Sequence, residues 1–82
     1  MNKLNFEIET GELYLTKGGR KAHIWGQDDY LTHPFIGTLL GTRPDEAKQD
    51  VFYNEDGEVY PKIGKRRLTL KEVGDLKIVG KI

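Results

Sequence analysis

His23 and His33 are the only imidazoles in the chain, and a pair of carboxylates, Asp28-Asp29, lies between them. Such a set could hold zinc only by recruiting those aspartates, because the sequence has no cysteine and a zinc ion takes three or four protein ligands, roughly. The spacing matches no metal signature, so His23 reads as a strand-surface residue and His33 as a loop residue. Asp28-Asp29 and Asp45-Glu46 read as solvated loop carboxylates. Serine is absent, which removes a serine nucleophile. Gly18-Gly19 falls in no dinucleotide or phosphate-loop spacing and sits inside a hairpin, not between a strand and a long helix. A shaped catalytic pocket of roughly 300–1,000 Å³ also generally needs more chain than this. The expectation is a non-enzyme with no metal and no other cofactor.

The aromatic and basic residues point to binding instead. Tyr14, Trp25, Tyr30, Tyr53 and Tyr60 fall near hairpins or loops, and flat rings supply contact area at little entropic cost. The same rings also favour plain cross-strand packing. The candidate partner-binding set is Tyr14, Lys21, His23, Trp25 and Tyr60, with a protein as the expected partner. Basic residues cluster at Lys17-Arg20-Lys21 and at Lys62-Lys65-Arg66-Arg67. Convergence of the two would give an alternative, nucleic-acid-binding site of Lys17, Arg20, Lys62, Lys65, Arg66 and Arg67, with aromatic rings between the charges. Thirteen basic and thirteen acidic residues cancel, which weighs against a binder driven by phosphate neutralisation. Acidic Glu55, Asp56 and Glu58 weigh the same way.

Short strands must position these residues. Leu4, Phe6 and Ile8 alternate with polar neighbours and predict a first strand with one buried face. Leu13 and Leu15 are expected to face inward, with Tyr14 and Thr16 outward. Lys17-Gly18-Gly19-Arg20 predicts a tight turn, after which Ala22, Ile24 and Gly26 share one face and Lys21, His23 and Trp25 the other. A polar loop spans 27–34. The apolar run 35–41 suits a central strand buried on both faces. A charged connection, 42–49, carries Pro44 at a place where one helical turn could begin.

A second hairpin is predicted over 51–60, turning at Glu55-Asp56-Gly57-Glu58, with Pro61 limiting the strand that follows. Thr69 and Glu72 form a capping-box signature flanked by Leu68 and Val73, which predicts a short 3₁₀-like turn near 69–73. A closing strand is expected over 75–80. There is a faint internal echo: residues 15–26 lie over 53–64 without gaps, matching Gly19 with Gly57 and Gly26 with Gly64.

Five or six short antiparallel strands with almost no helix predict one all-β domain over 1–82, a small, partly open barrel of the SH3 type. Closing the sheet gives a small apolar set a common interior. The margin is thin, because a chain of 82 residues buries only about 60% of its unfolded surface. No run approaches the ~20 apolar residues of a membrane-spanning helix. The alternating N-terminus lacks the apolar stretch of a signal peptide, so a cytoplasmic location is expected.

The stretch Tyr14-Leu15-Thr16-Lys17-Gly18-Gly19-Arg20-Lys21-Ala22-His23-Ile24 resembles a group of small, uncharacterised proteins of tailed bacteriophages and prophages. They share a strand with Tyr and Thr, a basic-Gly turn, then Arg-Lys and an aliphatic. The aliphatic strand 35–40, the run Phe52-Tyr53-Asn54-Glu55-Asp56-Gly57 and the closing Asp75-Leu76-Lys77-Ile78 extend the resemblance over most of the chain. Gly18, where aspartate is usual, and the insert 42–49 depart from it. The resemblance implies a phage-encoded accessory protein in a bacterial host cell, with an SH3-like barrel and no assigned catalytic residues. The resulting functional expectation is a binding module acting through protein–protein contacts, with a host protein as the partner. The alternatives are a nucleic-acid-binding barrel and a self-associating assembly component.

Overall fold

A computed structural model of the chain describes residues 4–41 and 50–82. Its first hairpin pairs β1 (Leu13–Thr16) with β2 (Lys21–Gln27), which goes on to pair with β3 (Phe35–Leu39) and through it with β4 (Asp50–Tyr53). A two-stranded ribbon follows, β5 (Lys62–Ile63) with β6 (Arg66–Arg67), then α1 (Leu70–Asp75) and β7 (Ile78–Lys81). The main sheet is antiparallel with strand order β4-β3-β2-β1-β7. The fold is a small, open all-β fold, as the pattern of short strands predicts. The described residues hold seven strands instead of five or six, because the 62–67 segment folds into two separate strands of two residues each.

The sheet rolls without closing. Burying a small apolar set requires the sheet's two edges to approach, and two contacts draw β4 toward β7. The Tyr53 hydroxyl donates to the Leu76 carbonyl at 2.7 Å, and the Ile78 amide donates to the Gly57 carbonyl at 2.9 Å. Inside lies one apolar cluster that includes Tyr14, Ala22, Ile24, Val51, Tyr53, Val59, Leu68, Leu76 and Ile78.

Both turns use the same chemistry. In the first, Gly19 N–H donates to Thr16 C=O, Thr16 N–H to Arg20 C=O, and the Thr16 hydroxyl accepts from Arg20 N–H. In the second, Gly57 N–H donates to Asn54 C=O, Asn54 N–H to Glu58 C=O, and the Asn54 side chain accepts from Glu58 N–H. Gly19 and Gly57 take φ of 89° and 79°, in the left-handed region where a Cβ is penalised. Each is therefore a three-residue loop ending in a left-handed glycine, not the two-residue turn that Gly-Gly or Asp-Gly suggests. The faint echo between the two segments reflects this shared turn.

Several expectations are corrected. The face of β1 is reversed: Tyr14 and Thr16 are buried, while Leu15 is exposed. The register gives the reason, since Tyr14 pairs with Ala22, which already faces the core, and Leu13 and Leu15 pair with the outward His23 and Lys21. Segment 4–9 keeps its alternating burial but joins no sheet. It is held by the Tyr14 hydroxyl, which accepts from the Glu9 amide at 2.7 Å and donates to the Glu7 carbonyl at 3.2 Å, and by Phe6 stacking on the Tyr14 ring. Strand β3 is central but has only one buried face, with Ile36 and Thr38 half-buried on the other. The second hairpin shortens after its turn to a single bridge, Tyr53 with Val59. The connection 42–49, with its candidate turn at Pro44, lies outside the described residues.

The capping box forms as predicted. The Thr69 hydroxyl accepts from Glu72 N–H and the Glu72 carboxylate accepts from Thr69 N–H, both at 3.1 Å. The turn expected as 3₁₀-like near 69–73 is instead an α-helix, Leu70–Asp75, so the last strand starts at Ile78 and not at Asp75. Carbonyls of Asp75 and Lys77 accept from the amides of Gly18 and Lys17 at 2.8 Å, docking the first hairpin turn on the end of α1.

Candidate functional site

The outer face of the main sheet carries half-buried His23, Ile36, Thr38 and Phe52 and exposed Lys21 and Trp25. Cross-strand register builds an apolar row on it. Tyr60 N–H donates to Phe52 C=O, Phe52 pairs with Ile36, and Ile36 lies opposite Gly26 beside a bulge that carries Trp25. Bulges turn a side chain out of the regular alternation, and here the extra residue is the single tryptophan, 48% exposed. Its indole N–H donates to the Thr38 hydroxyl at 3.0 Å, which fixes the ring against β3. The row runs Trp25, Ile36, Phe52, Tyr60 across three strands and the bridge beyond them.

Four of the five residues chosen as partner-binding therefore reach the surface. Lys21, His23 and Trp25 lie on the outward side of β2, and Tyr60, 39% exposed, joins the same surface through Phe52. Tyr14 does not: it is 0% exposed in the core, so it is a packing residue, and Leu13 and Leu15 take its place beside His23 and Lys21.

The row opens at Tyr60 into a cleft of about 440 Å³ lined by Tyr30, Leu31, Thr32, His33, Phe52 and Tyr60. His33 meets Tyr60 edge-on, with ring centroids 5.3 Å apart, an arrangement that aromatic quadrupoles favour. Partial burial holds the His33 imidazole below its ordinary pKa, with the nearby Glu58 charge acting in the opposite direction. The Thr32 hydroxyl lies 3.1 Å from His33 Nδ1. Tyr30 at the rim is fully exposed, and its amide is held by the Asp28 carboxylate at 3.1 Å. Across the 31–32 segment a second cleft, of about 380 Å³, includes Asp29, Asn54, Glu55 and Asp56.

Sequence reasoning noted Tyr30 and His33 singly but missed Ile36 and Phe52. Alternation along 50–53 would have revealed Phe52 once Tyr53 was placed inside. Tyr53 belongs to the core, where burial pushes its hydroxyl far above the ordinary phenol range, with the Arg20 charge partly opposing.

The basic residues occupy two separate sheets. Lys17, Arg20 and Lys21 belong to the first hairpin of the main sheet, whereas Lys62, Lys65, Arg66 and Arg67 lie on the β5–β6 ribbon. Arg66 is engaged by the Glu72 carboxylate at 2.9 Å, an exposed pair of small energetic weight. Among the described residues no group of three or more His, Cys, Asp or Glu could hold a metal ion, and no helix is long and apolar enough to cross a membrane. No protein-family model, curated protein or solved structure matches this chain.

Proposed function

We propose that this chain is a small binding module that acts through protein–protein contact on its open sheet face. The supporting observation is the row Trp25–Ile36–Phe52–Tyr60, in which exposed Trp25 and Tyr60 flank half-buried Ile36 and Phe52 although a chain this short has few large apolar side chains to spare for its core. Contiguous exposed apolar surface marks interaction sites, and Trp and Tyr are the residues enriched where binding energy concentrates. The resemblance to phage and prophage accessory proteins favours a bacterial host protein as the partner. No observation comparably favours the nucleic-acid reading: thirteen basic and thirteen acidic residues cancel, and Arg66 is paired with Glu72.

The test is a pull-down from bacterial lysate with the wild-type chain and a Trp25→Ala, Tyr60→Ala double variant of matched stability. Loss of a captured protein in the double variant is the expected result. Capture that is unchanged, or no specific capture by the wild type, would overturn the reading.

A further inference from the structure

The aromatic cleft has a one-sided electrostatic setting. No lysine or arginine lines this cleft or its neighbour; Asp29, Glu55 and Asp56 line the neighbour, and the Glu58 charge acts on His33 in the cleft wall. The chain is neutral in total, so its positive charge is placed elsewhere. An apolar cleft alone would not specify an occupant. Aromatic rings with a carboxylate nearby do, because aromatic faces attract cations and clustered negative charge steers cationic ligands and rejects anionic ones.

We propose that the cleft takes a basic, extended peptide segment of a partner protein. An arginine or lysine side chain sits among Tyr30, His33 and Tyr60 with its charge toward Glu58, and a neighbouring apolar side chain lies on Phe52 and Ile36. This rests on the protein-binding reading above and names the partner's chemistry. The parts match the demands of such a ligand. Long cationic side chains bring an aliphatic stem as well as a charge, and the cleft offers Leu31 and Phe52 beside its aromatic rim. Partial burial of His33 disfavours a positive charge on the cleft wall. Asn54 donates to the Glu58 carboxylate at 3.2 Å, orienting that charge within its own turn.

Fluorescence anisotropy with three labelled synthetic peptides, alternating Arg-Val, Glu-Val and Gly-Ser, tests the proposal on the full chain. The Arg-Val peptide is expected to bind saturably, more weakly as salt rises, and about tenfold more weakly to Tyr60→Ala, the scale of one desolvated cation–π contact. Tyr60→Phe, which keeps the ring, should retain binding, and Glu58→Gln should weaken it. Equal binding of the Arg-Val and Glu-Val peptides, or indifference to both Tyr60→Ala and Glu58→Gln, would overturn the proposal. If the Arg-Val peptide fails while a lysate protein is still captured through Trp25 and Tyr60, the cationic inference falls and the binding-module reading stands. Sedimentation of the protein alone supplies the other arm. A dimer that dissociates on Lys65→Glu, Arg67→Glu substitution would assign the cleft to a second copy and overturn the peptide proposal.

Discussion

The Tyr53 hydroxyl donates a 2.7 Å hydrogen bond to the carbonyl of Leu76, tying the last residue of β4 to the turn that enters β7. Those strands are the two edges of the main sheet, so this bond spans the gap that strand pairing leaves open. It is also buried, where a carbonyl that loses its partner has no water to replace it. Tyr53→Phe keeps the ring but strands the Leu76 carbonyl, at a cost on the order of 1–3 kcal/mol. Urea denaturation should show a lower midpoint with an unchanged slope. An unchanged midpoint would mean that the edges are held together by packing alone.

Gly57 supplies the second link between the edges. A Cβ there would lie 2.9 Å from the Ile78 carbonyl and 3.1 Å from Ile78 Cβ, at a φ of 79°. Gly57→Ala therefore combines backbone strain with overpacking, and the expected loss is on the order of 1–3 kcal/mol. Amide exchange should report it locally: the Ile78 amide, which donates to Gly57, loses protection more than amides of the β2–β3 ladder. Uniform loss across the sheet would refute a local link.

Tyr14 holds the N-terminal segment through its hydroxyl and cannot contact a partner through a buried ring. Tyr14→Phe should cost about 1 kcal/mol, leave the Phe6 stack in place and increase proteolytic cleavage within 4–9. Partner binding should be unaffected. A loss of binding without a loss of stability would return Tyr14 to the site.

Thr69 and Glu72 make the start of α1 pH-sensitive. The Thr69 amide first, and the Arg66 side chain second, hold the Glu72 carboxyl below its ordinary pKa. A carboxylate depressed in the folded state contributes stability above its unfolded pKa, and that contribution disappears as pH falls through the folded value. Glu72→Gln should therefore flatten the acid limb of stability against pH, by lowering stability at pH 7, where the wild-type carboxylate is charged, and leaving the acid end nearly unchanged. Thr69→Ala should cost about 0.5–2 kcal/mol at neutral pH through loss of the cap. Identical acid limbs for wild type and Glu72→Gln would refute the linkage.

Much of the fold was legible because it is local chemistry. The glycine turns, the Thr69–Glu72 capping box, the inward Ala22 and Ile24 and the outward Lys21, His23 and Trp25 all follow from neighbours within a few residues. The site was legible in part, since Trp25 and Tyr60 stand out by type. Their connection through Ile36 and Phe52 depends on register between strands far apart in sequence.

Short antiparallel strands, the turn positions and a largely β domain follow from local pattern, because period-two alternation and left-handed glycines constrain the backbone directly. Which face of β1 is inside depends on its pairing with β2. Leu13-Tyr14-Leu15-Thr16 alternates apolar residues on both sides, and the choice fell to the partner: pairing with Ala22 drew Tyr14 into the core, where its hydroxyl could still reach the backbone of Glu7 and Glu9. The same register left Leu13 and Leu15 outward beside His23 and Lys21, and pairing farther along the sheet joined Trp25 to Tyr60. A residue's side of a sheet is a property of the pair, and single-strand patterning cannot supply it where both faces are apolar.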